Sequence, residues 1–279
     1  MKTYYFLIIL ISIFSCSKTI KKNAAKKEAN QQHQIVNFKF QTILDSAKVN
    51  GSIVIYDAQK EIYYSNDFTW ARKGKIPAST FKIPNSIIAL ELGVVANDSA
   101  LFKWDQKARY LKIWEQDLFF RDAFKFSCVP CYQEVAREIG ERRMNNYLDK
   151  FDFGNMKVDS TNIDVFWLEG DSQINQFQQI DFLKRFYNRE LPISNRTQKI
   201  MKKIMIKDQN DKYTLSGKTG LSIRNDNRNG WFVGYVEAKN NVYFFATNVE
   251  PQKQIDNKLF LKTRIKTTYQ ALKQLDIIK

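Results

Sequence analysis

Histidine is almost missing from this chain: its 279 residues include one, His33. It stands in the polar stretch Lys26-Lys-Glu-Ala-Asn-Gln-Gln-His33, which has the composition of a linker. A Ser-His-Asp triad needs an imidazole inside a folded site, so that class of hydrolase is excluded. A histidine-ligated zinc centre is excluded on the same ground, and no metal is expected. Acid–base chemistry must fall to Lys, Glu, Asp or Tyr. A membrane-spanning run is missing too, because the apolar segment Tyr4 to Phe14 is too short to cross a bilayer comfortably. Internal repeats are absent. Acidic residues are few beside basic ones, 29 against 44, for a formal charge of +15. Basic residues cluster only at Lys18, Lys21, Lys22, Lys26 and Lys27, with no recognition-helix or aromatic-platform pattern, so no nucleic-acid partner is expected.

Apolar and aromatic residues are plentiful. Hydrophobic residues make up 44%, with 21 Phe, 13 Tyr and 5 Trp, enough for a substantial core. Residues 1–15 read as an export signal: Lys2, the apolar run, then Ser15-Cys16. Ile13-Phe-Ser-Cys16 resembles a bacterial lipobox, which makes Cys16 the candidate lipidated N-terminus of a mature protein. Residues 16–36 read as a flexible tether, whose lysines would lie beside anionic headgroups. Residues 37–279 read as a single catalytic domain. The expected location is the bacterial envelope, in the periplasmic space on a lipid anchor, as a monomer or homodimer.

Ser52–Asp57 and Ile62–Ser65 are β-rich runs around a polar turn, a hairpin pattern. A helix is predicted over 79–92, ending at Gly93, with Pro84 making its first turn tight. Helical segments are predicted at 118–125, 130–150, 174–188 and 194–206, and again at about 256–275. Strand patterns return at Tyr213–Ser216, Trp231–Val236 and Val242–Thr247, with Asn240-Asn241 suited to a hairpin turn. Strands at both ends around a helical middle predict an α+β fold. An antiparallel sheet built from N- and C-terminal segments is flanked by helices, beside a mainly helical subdomain, with the cleft between.

Pro77-Ala-Ser-Thr-Phe-Lys-Ile-Pro84 holds the chemistry. Ser79 and Lys82, three residues apart on a helix, share a face and can touch. That sets a hydroxyl nucleophile beside an amine able to act as its base once the amine loses its charge. Ser-x-x-Lys alone is common by chance. Followed by Ser216-Gly-Lys-Thr-Gly220, it marks the penicillin-recognising serine acyl-transferases. Ser127-Cys-Val129, Phe153-Gly-Asn155, Phe166-Trp-Leu-Glu-Gly170 and Gly230-Trp-Phe-Val-Gly234 follow in order. Together these motifs resemble the class D β-lactamases, the oxacillinase family, from about residue 45 to the C-terminus. The chain departs at Phe153, where many members carry Tyr, and at Cys128 and Cys131.

The resemblance implies hydrolysis of β-lactam antibiotics, penicillins at least, through an acyl-enzyme on Ser79. It implies that Lys82 is carboxylated to N6-carboxylysine and serves as general base. No cofactor is needed beyond the carbon dioxide or bicarbonate that modifies it. Val129 and Phe81 would line the lysine's pocket, and Trp167 would donate its indole N–H to the carbamate. Ser127 would relay a proton to the departing nitrogen, and Lys218 would hold positive potential beside it. Thr219 and Gly220 belong to the substrate-binding strand. The backbone N–H groups of Ser79 and Leu221 would form an oxyanion hole. The substrate carboxylate would meet Arg264 or Lys262; counting from the C-terminus favours the first and the local Leu-x-Leu-basic pattern the second.

Cys128-Val-Pro-Cys131 has thioredoxin-like spacing without a βαβ context. Closing so short a loop gains little entropy, so two free or packed thiols are expected. Two rival functions share the Ser-x-x-Lys and Lys-Thr-Gly motifs: a β-lactam sensor that stays acylated, and a cell-wall D,D-peptidase. Several membrane segments would mark the sensor, and this chain has only an export signal.

Overall fold

A computed structural model describes residues 33–224, 227–252 and 256–279. The export signal, Cys16 and the tether up to residue 32 lie outside these residues. The chain runs β1 (Gln34–Val36), α1 (Phe38–Ser46), β2 (Val49–Asp57), β3 (Ile62–Ser65) and α2 (Phe68–Ala71). A 3₁₀ turn at Ala78–Phe81 leads directly into α3 (Lys82–Glu91). The middle holds β4 (Leu101–Phe102), β5 (Leu118–Phe119), α4 (Phe120–Lys125), α5 (Val129–Ile139), α6 (Glu141–Phe151), α7 (Gln176–Tyr187) and α8 (Asn195–Ile204). The chain then forms β6 (Ile206–Gln209), β7 (Tyr213–Arg224), β8 (Asn227–Ala238), β9 (Asn241–Pro251) and α9 (Asn257–Gln274).

Seven strands form one sheet in the order β1-β3-β2-β9-β8-β7-β6. Every pairing is antiparallel except β1 with β3. N- and C-terminal segments meet at β2 and β9, where Val49 pairs with Pro251 and Asp57 with Tyr243. The sheet divides two cores. On one face Phe232, Val236, Phe245 and Val249 pack against Phe40 and Leu44 of α1 and Phe260, Ala271 and Leu272 of α9. On the other, Trp231, Val233, Tyr235, Phe244 and Ala246 pack against the helical middle. Alternate side chains of a strand point to opposite faces, so a strand covered on both reads as the unbroken apolar run Trp231–Val236.

The α+β architecture agrees with the sequence reading, with four local corrections. Gln34–Val36 is a strand where a tether was expected, because it pairs with Tyr63–Ser65 along the sheet's edge. The predicted helix 130–150 is two helices meeting at Gly140, whose φ of +75° an L side chain rarely adopts. The β8–β9 turn lies one residue earlier than expected. Lys239 and Asn240 take positive φ, +53° and +59°, while Asn241 already pairs with Ala238. Helical patterning also overran into β6, which pairs with β7 from Ile206.

Candidate active site

Three hydrogen bonds hold the turn that presents Ser79. Thr80 donates its hydroxyl to Pro77 O at 2.7 Å and accepts from Gln179 Nε2 at 3.0 Å. Trp231 Nε1 donates to Ile76 O at 2.9 Å, fastening the preceding segment to β8. Ala78 sits at φ +49°, a left-handed conformation that costs a non-glycine residue energy and persists only where surroundings enforce it. The first turn is tight, as Pro84 implied, and it leaves Ser79 half-buried at the head of α3.

Lys82 is the first residue of α3 and is fully buried. Its Nζ lies 3.3 Å from Ser79 Oγ and 4.9 Å from the centroid of the Tyr132 ring. Burial pulls its pKa down from an ordinary lysine value to about 7, because charge is costly away from water. Tyr132 is held by a 2.6 Å hydrogen bond between its hydroxyl and Ser86 Oγ. Around the lysine's helix an aromatic cluster closes the pocket. The Phe81 ring stacks on Trp167 at 5.5 Å and meets Phe166 edge-on at 4.7 Å. Trp167 is fully buried, and its indole N–H has no hydrogen-bond partner. A buried unmet donor is costly, so this group calls for an acceptor.

Lys218 is also fully buried, on β7, and its Nζ hydrogen-bonds Ser127 Oγ and the carbonyl of Thr219. Burial lowers its pKa well below the usual lysine range, with Lys207, Lys82 and Arg264 adding repulsion. Ser127 has φ +56° and joins α4 to α5. Val129 opens α5, half-buried, three residues before Tyr132.

β7 forms the wall opposite the Ser79 turn. A Cβ at Gly220 would stand 3.0 Å from Pro77 O and 3.2 Å from Thr80 Cγ2, so the strand approaches the turn as closely as glycine allows. Gly217 N donates to Met205 O next to β6. Backbone groups alternate along an antiparallel strand, so those of Thr219 and Leu221 face the same side. There β6 has no partner for them, since its pairing with β7 ends at Ser216. Arg264 is buried under this strand and donates through Nη1 to Gly220 O, while its Nε has no partner. Lys262 is exposed, whereas Arg264 is buried against Gly220 of the strand wall.

The two cysteines are joined, against the expectation of thiols: Cys128 and Cys131 form a disulfide with Cα atoms 5.5 Å apart. Cys128 is the N-cap of α5 and Cys131 lies one turn on, so helix geometry itself brings their side chains together. The small entropy gain of a short ring bears on stability, not on whether the sulfurs can meet.

Residues 42–269 match the family model described as the penicillin-binding protein transpeptidase domain. Beta-lactamase OXA-48 of Klebsiella pneumoniae is 39% identical over 272 residues, covering 98% of this chain and 99% of the relative. Beta-lactamase OXA-10 of Pseudomonas aeruginosa is 43% identical over 219 residues, 77% of this chain and 80% of the relative. A class D β-lactamase structure from Sebaldella termitidis superposes with a TM-score of 0.84 at 36% identity, over 88% of this chain and 99% of that one. This chain belongs to the class D β-lactamases. The class D structure from Nostoc agrees, with a TM-score of 0.83 at 41% identity over 88% and 100% of the two chains.

Sequence reasoning missed several residues of this class D β-lactamase's site. Tyr132, Ser86, Thr80 and Gln179 position the groups named above, yet each reads as ordinary helix packing. Two residues gave a usable signal. Ser86 lies four positions after Lys82 and Tyr132 three after Val129, spacings that put each on a helix face already assigned to the site.

Proposed function

We propose that this protein hydrolyses β-lactam antibiotics, penicillins among them, through an acyl-enzyme on Ser79, and so confers resistance. The observation that carries the reading is the buried Lys82 amine, 3.3 Å from Ser79 Oγ, with the unpaired Trp167 N–H in the aromatic cluster that begins at the neighbouring Phe81. Only a neutral amine reacts with carbon dioxide, and burial brings the Lys82 pKa down to about 7, so a large neutral fraction is present near pH 7. The pocket fits a carbamate on two counts: the poised amine and the unmet indole donor close by in the aromatic cluster. When present, the carbamate supplies a negatively charged general base in a dry site.

The chain's own residues supply the rest. Ser79 Oγ attacks the lactam carbonyl. The backbone N–H groups of Ser79 and Leu221 receive the developing oxyanion, each such donor being worth roughly 3–4 kcal/mol. Ser127, hydrogen-bonded by Lys218, hands a proton to the departing nitrogen. Thr219 and Arg264 hold the substrate carboxylate, with Gly220 letting the strand come close. Val129 shields the base from water.

The test is steady-state hydrolysis of a chromogenic cephalosporin and a penicillin by the soluble domain, with and without bicarbonate. Below pH 7 Lys82 is increasingly protonated, and the reactive amine falls roughly tenfold per pH unit. Activity without bicarbonate is therefore expected to fall as pH drops from 7.5 to 5.5, and added bicarbonate to restore it. A flat profile indifferent to bicarbonate would remove the carbamate from the mechanism.

We further propose that the protein sits in the cell envelope through lipid on Cys16, its basic tether resting on anionic headgroups. Among the described residues no helix is long and apolar enough to cross a membrane. Cys16→Ala should move the full-length protein from the membrane pellet to the soluble fraction; retention in the pellet would refute the anchor.

A further inference from the structure

The Cys128–Cys131 disulfide stands where the chain passes from α4 to α5. Ser127 N donates to Phe124 O at 3.2 Å and Cys128 N to Ala123 O at 2.9 Å. These two bonds are the Schellman closure of α4, a motif whose left-handed residue is ordinarily glycine. Here that residue is Ser127, at φ +56°. Its hydroxyl is the one Lys218 bonds, so glycine cannot serve. The next residue, Cys128, ends the Schellman motif and also caps α5. One residue thus fixes both the helix end that aims Ser127 and the start of the helix that carries Tyr132 to Lys82.

Sulfur is a weak hydrogen-bond acceptor, so Cys128 Sγ accepting from Cys131 N at 3.2 Å is a poor cap. The covalent bond spans the same positions, N-cap to N3, that a capping box joins by two hydrogen bonds. We propose that the Cys128–Cys131 bridge is a covalent capping box whose task is catalytic positioning: it holds Ser127 in its left-handed conformation against Lys218, and Tyr132 against Lys82. The sulfurs take no part in the chemistry. Cys131 lines a surface cleft of about 270 Å³ with Trp104, Gln133 and Arg137, so a small reductant can reach the bond. Reduction delivers two electrons and two protons, converts the S–S bond to two thiols and leaves the reductant oxidised.

This inference rests on the acyl-enzyme reading, and the experiment separates the two. Purified soluble domain is assayed with penicillin at saturating bicarbonate, before and after treatment with a phosphine reductant, and again after reoxidation. Acylation is followed independently with a fluorescent penicillin. Reduction is expected to lower kcat by about five- to tenfold, the rate equivalent of losing one helix cap. KM should change little, and reoxidation should restore the rate. C128A/C131A should show the same loss and no response to reductant. C128S/C131E, which supplies a non-covalent capping box at the same positions, should recover most of it. The bicarbonate concentration giving half-maximal activity should rise in C128A/C131A and return in C128S/C131E. If reduced enzyme and C128A/C131A keep kcat and acylation rate within twofold while only the melting temperature falls, the bridge is a structural staple and the proposal fails. If intact wild type acylates without turning over, the hydrolytic reading fails instead, and the acylation rate still reports on the bridge. Should C128A/C131A not fold, reduction of the folded wild type decides.

Discussion

Protein carrying Lys82→Ala will take up one equivalent of penicillin and then stop. Lys82 is the side chain hydrogen-bonded to Ser79 Oγ, at 3.3 Å, and the single histidine, His33, is exposed just before β1. Removing the base slows acylation, but Ser79 and its backbone donors remain, and a strained lactam still reacts. Deacylation suffers more, because water has no partner to take its proton. A positioned general base typically contributes 10²–10⁴-fold, so turnover should fall by about 10³-fold with the ester accumulating. Intact-protein mass spectrometry after incubation should show a stable adduct of penicillin mass. Sustained turnover within tenfold of wild type would mean that another group deprotonates water.

Ser79→Ala should abolish both phases, leaving neither a burst nor an adduct. Nucleophile removal costs more than base removal, commonly 10⁴-fold or beyond, because no covalent path remains. The side chain is half-buried and its turn is tied down through Thr80, Gln179 and Trp231, so the fold should survive the loss of one oxygen. Lys82 keeps its burial in this variant, so isotope-labelled bicarbonate should still give a carbamate signal by ¹³C NMR. Measured together, the two substitutions divide the reaction: one keeps the nucleophile without the base, the other the base without the nucleophile. A residual burst in Ser79→Ala would place the acyl group elsewhere.

The parts of the site legible in the sequence are those whose chemistry is carried by short local spacing. Ser79 and Lys82 sit on one helical turn, and Lys218-Thr219-Gly220 on one strand, so neighbouring letters already encode them. Trp167 could be named, but not its unmet donor, which depends on the packing of Phe81 and Phe166. Arg264 could not be separated from Lys262 by counting. Which of the two faces β7 depends on how α9 packs on the sheet, and it is Arg264 that is buried there. Gln179 was invisible because its partner, Thr80, lies far away in sequence, and Tyr132 could be placed on a helix face but not against Ser86. The disulfide was misjudged by weighing the loop's entropy instead of where an N-cap and its N3 residue point. The strands were legible wherever both faces are covered, as in β8. The four-residue edge strand β6 was lost to the helical pattern before it.

The pairing of β2 with β9 bears on how this protein is made. Val49 lies against Pro251, so the sheet cannot close until nearly the whole chain is available. Contacts this distant in sequence form slowly, since the intervening loop must be ordered first. A nascent chain lacking its last strands can pair β2 with β3 on one side only, and it lacks the β8 and β9 side chains against which α1 packs. The two-core packing on either side of the sheet is therefore incomplete until the last strands are made. Half of the sheet thus waits for the C-terminal strands, and the N-terminal hairpin keeps an open edge until they arrive.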